Sequence, residues 1–185
     1  MIECLVGSEM CIRDSTYIRT TTPDVITLGQ RFKQKGYKSV RIGKIYHYDN
    51  PGSIGTSSAD DIFTWDYTIN PYGRDKEEEY KVKTLRTRAY GGTLSWLEAD
   101  GTDKEQTDGI VATEAMEQLD KFSKTKQNFF LAVGFFKPHT PYVAPKKYFD
   151  MFPLEGISLP KIKNGDINDT HYKDVYPDSE MGLNY

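Results

Sequence analysis

The chain has 185 residues, 37% of them hydrophobic and 13% aromatic, which is enough apolar material for one buried core and too much for a disordered tail. Its 24 basic and 27 acidic residues are interspersed and leave a formal net charge of −3, so no global field exists to hold nucleic acid or an anionic membrane surface. No apolar run approaches the about 20 residues of a membrane-spanning helix, and both cysteines, Cys4 and Cys11, lie near the start, which leaves no disulfide framework or cysteine-based zinc site for the body of the chain.

The first fifteen residues, MIECLVGSEMCIRDS, carry neither a helical nor a strand period and lack the basic-then-apolar order of a signal peptide. They resemble translated sequencing-adapter read-through, so residues 1–15 are expected to be non-native and the domain to occupy residues 16–185. Thr27 and Gln30 have the spacing of a capping box, and Leu28 and Phe32 share a face. With Gly36 as a natural stop, they predict a helix over residues 28–35. Residues 38–42 then alternate as a strand that ends at Gly43.

Residues 48–70, rich in Gly, Ser, Asp and Asn, are expected to form a long loop. Residues 80–90 alternate weakly, with Lys81, Lys83, Arg86 and Arg88 on what is expected to be the solvated face of a hairpin strand. Val111, Ala115, Leu119 and Phe122 form one apolar stripe on a helix predicted over residues 103–124. The nearly continuous apolar run over residues 128–136 has the signature of a strand buried on both faces of a parallel sheet. A short helix with proline in its first turn is expected over residues 145–152, and the chain from 167 onward is expected to be irregular. Helix, strand, helix, strand in that order predicts a layered α/β domain.

Ligands of α/β sheets bind beyond the carboxyl ends of the strands. Two such ends are recognisable, Gly43-Lys44-Ile45-Tyr46-His47 and Lys137-Pro138-His139-Thr140-Pro141-Tyr142. Two lysines and two histidines converging on one crevice suit an anionic tetrahedral group, with lysine as a point charge and histidine as a donor or proton carrier. The plainer alternative is that each histidine bonds a loop backbone and each lysine points to water.

Pro23-Asp24-Val25-Ile26-Thr27-Leu28, the stretch from Phe32 to Gly36-Tyr37, and Gly43-Lys44-Ile45-Tyr46-His47 together resemble one block of the sulfatase family. Asn128-Phe129-Phe130-Leu131-Ala132-Val133-Gly134-Phe135-Phe136-Lys137-Pro138-His139, with the proline-rich run after it, resembles a second block. Two residues separate Lys44 from His47 where many sulfatases have one, as in the iduronate 2-sulfatase-like branch. The resemblance implies an alkaline-phosphatase-like layered domain with a mostly parallel sheet. It also implies hydrolysis of sulfate esters, with sulfated sugars such as glycosaminoglycans as substrates, and a secreted, periplasmic or lysosomal setting. On this resemblance Lys44 contacts the sulfate and an aldehyde-derived nucleophile, His47 hydrogen-bonds that nucleophile and helps regenerate it, and His139 binds the sulfate or the leaving oxygen. Lys137 belongs to the motif without an assigned catalytic role.

The family uses Ca2+ and a formylglycine made from the cysteine of a Cys-x-Pro-x-Arg motif. Neither Cys4 nor Cys11 stands in such a motif. Asp60-Asp61 is an aspartate pair, but no apolar strand precedes it, so it is not expected to be the family's metal site. The chain is therefore expected to be an incomplete catalytic domain, cut on both sides and inactive by itself, with the nucleophile and metal ligands in a longer parent. A phosphonate or phosphate ester hydrolase of the same superfamily and a non-catalytic glycan-binding relative are the alternatives. His171 is expected to be a solvated loop residue, Trp65 and Trp96 to anchor core or loop, and Asn168-Asp169-Thr170 to be a glycosylation sequon with meaning only in a eukaryotic secretory setting.

Overall fold

The computed structural model describes residues 18–47, 49–86 and 90–161. The sequence expectations for residues 1–15, Arg88, His171 and the Asn168 sequon lie outside them. The chain divides into two compact units, Met1–Pro145 and Lys146–Tyr185.

In the first unit, α1 (Ile18–Thr21) is a single turn that leads to α2 (Leu28–Gln34). Both halves of the predicted capping box form: Thr27 accepts from the Gln30 amide, and the Gln30 side chain accepts from the Thr27 amide. The chain leaves the helix through Gly36 at φ +80°, a left-handed conformation that glycine adopts without a Cβ penalty. Next come β1 (Lys38–Gly43), β2 (Tyr67–Ile69), α3 (Arg74–Glu77), β3 (Lys83–Thr84), β4 (Ser95–Ala99), α4 (Thr107–Thr125), β5 (Phe129–Gly134) and β6 (Tyr142–Pro145).

Three parallel strands, in the order β2-β1-β5, form the sheet that matters for function. Successive strand residues point to opposite faces. Phe130 stacks on Phe32 of α2 with ring centroids 4.6 Å apart, while its neighbour Phe129 stacks on Phe122 of α4 at 4.6 Å. The two helices therefore cover opposite faces, giving helix, sheet and helix layers. Val40, Ile42 and Val111 are fully buried between them. A second sheet, β3-β4-β6, pairs β4 parallel to β6 and encloses a smaller cluster of Val82, Leu97, Ala99 and Val143. The second unit contains the one-turn helix α5 (Lys146–Phe149) and a 3-10 turn at Leu154–Gly156.

The layered α/β class and the parallel pairing of β1 with β5 agree with the expectation from sequence, and several details differ. β5 is half-buried along its whole length rather than buried on both faces, because among the described strands it lies at the edge of its sheet. The expected loop over residues 48–70 contains a strand, β2, whose three residues pair with the flank of β1. The predicted hairpin strand shrinks to the two residues of β3, preceded by a 3-10 turn at Glu79–Lys81. Lys81, Lys83 and Arg86 are exposed, as the solvated-face reading requires. Leu119 stays 46% exposed although it continues the stripe of Val111 and Phe122. Pro145 ends β6 instead of opening a helix, and that helix is one turn long.

Candidate functional site

The site grows from the register of β1 against β5. Their last pair is Gly43 with Gly134, and the ladder closes one step later where the Lys44 amide donates to the Gly134 carbonyl at 3.0 Å. Gly43 has φ +71°, and a Cβ there would run into the Gly134 carbonyl oxygen, so the close approach of the two strand ends requires glycine. Lys44 and His47 leave one strand end, and Lys137 and His139 leave its neighbour. All four are partly buried.

The turn that carries Lys44 and His47 is tied down by Tyr46, whose hydroxyl lies 3.0 Å from Thr64 Oγ1. Thr64 Oγ1 donates to Asp61 Oδ2, and Asp61 is ion-paired at 2.8 Å with Arg19. Burial pushes the Tyr46 hydroxyl pKa up. Beneath this turn Arg41 is fully buried and ion-paired with Asp60 at 2.8 Å. Asp60 Oδ1 also accepts from Trp65 Nε1 at 2.9 Å, which anchors that buried tryptophan in the core as expected.

Asp60 and Asp61 thus each spend their negative charge on an arginine. An oxygen ligand for a hard cation must offer that charge to the metal, so this aspartate pair does not fit the metal the family uses. Among the described residues no group of three or more His, Cys, Asp or Glu side chains is placed to hold a metal ion. Among them, too, no helix is long and apolar enough to cross a membrane.

The segment carrying Lys137 and His139 is held by Asp108 in the first turn of α4. Its two carboxylate oxygens accept from the backbone amides of Phe136 at 2.9 Å and Lys137 at 3.0 Å. Burial raises the Asp108 pKa above the usual carboxylate value, against the pull of those two amides. Lys137 Nζ donates to the Pro141 carbonyl at 3.3 Å. Burial lowers its pKa, while the charges of Asp75 and Asp108 oppose that shift.

His139 is the centre of the arrangement. Its Nδ1 lies 2.6 Å from the Thr140 carbonyl oxygen and 3.2 Å from Asn50 Nδ2. Its pKa is lowered first by burial and then by the positive charges of Lys44, Lys137 and His47. Lys44, Lys137 and His47 thus lie within electrostatic reach of His139. The plainer alternative survives in part, since His139 does bond a loop carbonyl and Lys137 does point back to its own turn. Asn50 and Asp108 were not legible as parts of a site. Asn50 stands in an Asp-Asn-Pro-Gly turn, and an acidic residue at a helix start signals only a cap.

A family model described as Sulfatase matches residues 14–169. The chain is similar to a sulfatase of Formosa agariphila, 32% identical over 159 residues that cover 80% of this chain and 29% of that protein. It is similar to human iduronate 2-sulfatase, 30% identical over 163 residues covering 82% of this chain and 28% of that protein. A more distant relative is the protein named uncharacterized sulfatase YidJ of Escherichia coli strain K12, 24% identical over 131 residues covering 70% of this chain and 26% of that protein. The chain spans less than a third of the length of these relatives.

Proposed function

Because the chain belongs to the sulfatase family, we propose that it contributes the sulfate-handling half of a sulfuric ester hydrolase that acts on sulfated sugars. Lys44 and His139 hold the oxygens of the sulfate group, with His139 also able to reach the leaving oxygen, and His47 hydrogen-bonds the nucleophile. The observation that supports this reading is the pairing of β1 with β5, from whose adjacent ends Lys44 and His47 on one side and Lys137 and His139 on the other leave the sheet. An anion held by Lys44 and His139 would gain charge-assisted hydrogen bonds, which are about twice as strong as neutral ones. The likeness to iduronate 2-sulfatase supports a sugar as the carrier of the sulfate.

The chain by itself is proposed to be inactive toward sulfate esters, since it contains no Cys-x-Pro-x-Arg motif and its Asp60-Asp61 pair is bound to arginines. Isothermal titration of the 185-residue chain with inorganic sulfate tests the binding role. Lys44→Ala and His139→Ala are each expected to weaken sulfate by about tenfold or more, the equivalent of losing one charge-assisted hydrogen bond. Sulfate affinity that neither variant changes refutes the assignment. Release of sulfate from a fluorogenic aryl sulfate, abolished by His139→Ala, refutes the proposed inactivity.

A further inference from the structure

Three polar groups meet at His139 Nδ1, and the shortest contact, to the Thr140 carbonyl, decides the protonation pattern. The Thr140 carbonyl oxygen, 2.6 Å from Nδ1, can only accept. A lone pair on Nδ1 would face it with repulsion, so Nδ1 carries the proton. Asn50 Nδ2 donates to the same carbonyl at 2.7 Å and rests 3.2 Å from Nδ1. Turning that amide over would set two acceptor oxygens against each other, so its orientation is fixed as well. Asn50 is 3% exposed, and its buried Oδ1 has no hydrogen-bond partner among the described residues. A buried orphan acceptor costs stability, and here it accompanies an amide whose donor side is committed to the carbonyl. Thr140 is braced in turn, its hydroxyl donating to the Gly91 carbonyl at 2.6 Å.

We propose that Asn50 is a positioning residue for His139: its amide holds the Thr140 carbonyl, which fixes the imidazole with Nδ1 protonated and leaves Nε2 as the one ring nitrogen able to exchange a proton with a ligand. The functional meaning rests on the sulfate-binding reading of His139, while the tautomer itself does not. The groups whose charges act on the ring are Lys44, Lys137 and His47; its Nδ1 bonds the Thr140 carbonyl, which the Asn50 amide also holds. The groups in hydrogen-bond range of Nδ1 are the Thr140 carbonyl and the Asn50 amide, so the tautomer is assigned to them.

The chain has three histidines, so long-range nitrogen–proton NMR of histidine-labelled protein resolves each ring, with His139→Gln identifying the signal. In the unmodified chain above its titration midpoint, His139 is expected as the Nδ1–H tautomer alone. Asn50→Leu, which removes the donor at similar volume, is expected to release the carbonyl and give a mixture of tautomers while the His47 signals stay in place. Asn50→Asp sets a carboxylate beside the Nδ1–H and is expected to keep that tautomer and shift the His139 midpoint upward.

An Nε2–H tautomer in the unmodified chain overturns the proposal, as does a folded Asn50→Leu variant that keeps Nδ1–H alone. If Asn50→Leu does not fold, an Asn50→Asp variant whose midpoint stays put overturns it. Inorganic sulfate added to the same sample tests the site reading separately. A His139 signal that sulfate leaves unmoved removes the sulfate role and leaves the Asn50 result standing.

Discussion

Asp108 joins the start of α4 to the segment that carries His139, and its removal is a quantitative test of how that segment is held. In Asp108→Ala the backbone amides of Phe136 and Lys137 lose acceptors now at 2.9 and 3.0 Å. Each charge-assisted hydrogen bond contributes about 1.5–3 kcal/mol. Against this stands the cost of keeping a carboxylate partly buried, which is why its pKa is raised despite the two amides. The net loss is expected at about 2–4 kcal/mol, less than the two bonds taken together. At about 1.4 kcal/mol per factor of ten, exchange of these two amide hydrogens accelerates roughly 30-fold or more.

Native-state hydrogen exchange reads both sites directly, with β1 amides as the internal reference. Acceleration below about threefold at Phe136 and Lys137 refutes the carboxylate clamp. Asp108→Asn adds a check of sign. The folded-state pKa lies above the ordinary value of 3.8, so the stabilising contribution of the protonated acid is full below 3.8 and is lost as pH rises through the folded-state pKa. The asparagine variant should lose that part of the pH dependence.

Two further outcomes follow from buried charge. Asp60→Ala leaves Arg41, which is fully buried, without its carboxylate, and a loss of about 3–5 kcal/mol is expected from urea unfolding; a loss under about 1 kcal/mol means that the other acceptors of Arg41, which include Asn70 Oδ1 at 2.7 Å and the Gly43 carbonyl, satisfy the guanidinium without it. His139 has its pKa lowered from 6.5, so the unfolded chain takes up a proton there more readily than the folded chain. Stability is therefore expected to fall as pH drops below 6.5 toward the folded-state value, and His139→Gln should flatten that slope in urea titrations at successive pH values.

The sequence made some of this legible because local chemistry and tertiary structure agree there. Thr27 and Gln30 cap α2 through bonds that need only three residues of separation, β1 is marked by an alternation that ends at Gly43, and β5 by a nearly continuous apolar run. The elements that escaped detection are those in which small or polar residues fill inward positions. β4 buries Ser95, Leu97 and Ala99 on one side, an alternation whose apolar contrast is weak, and β2 offers only Tyr67, Thr68 and Ile69 inside a polar stretch. The cations of the site were visible because the strand ends are. Their supports were not, since Asn50 reaches His139 across 89 positions and Asp108 reaches Phe136 across 28. No periodicity spans such distances.

The supports also give the proposed site a physical logic. Lys44, Lys137 and His47 press positive charge on His139, and burial adds to it, so the ring is driven toward its neutral form in the free chain. A bound sulfate group brings negative charge into the same space and reverses that pressure, which couples anion binding to proton uptake by the ring. That coupling is useful only if the incoming proton sits where the sulfate or its leaving oxygen can use it. With Nδ1–H committed to the Thr140 carbonyl, the proton must enter at Nε2. The charged residues thus set whether His139 is protonated, and the uncharged amide of Asn50, acting through a backbone oxygen, sets at which nitrogen.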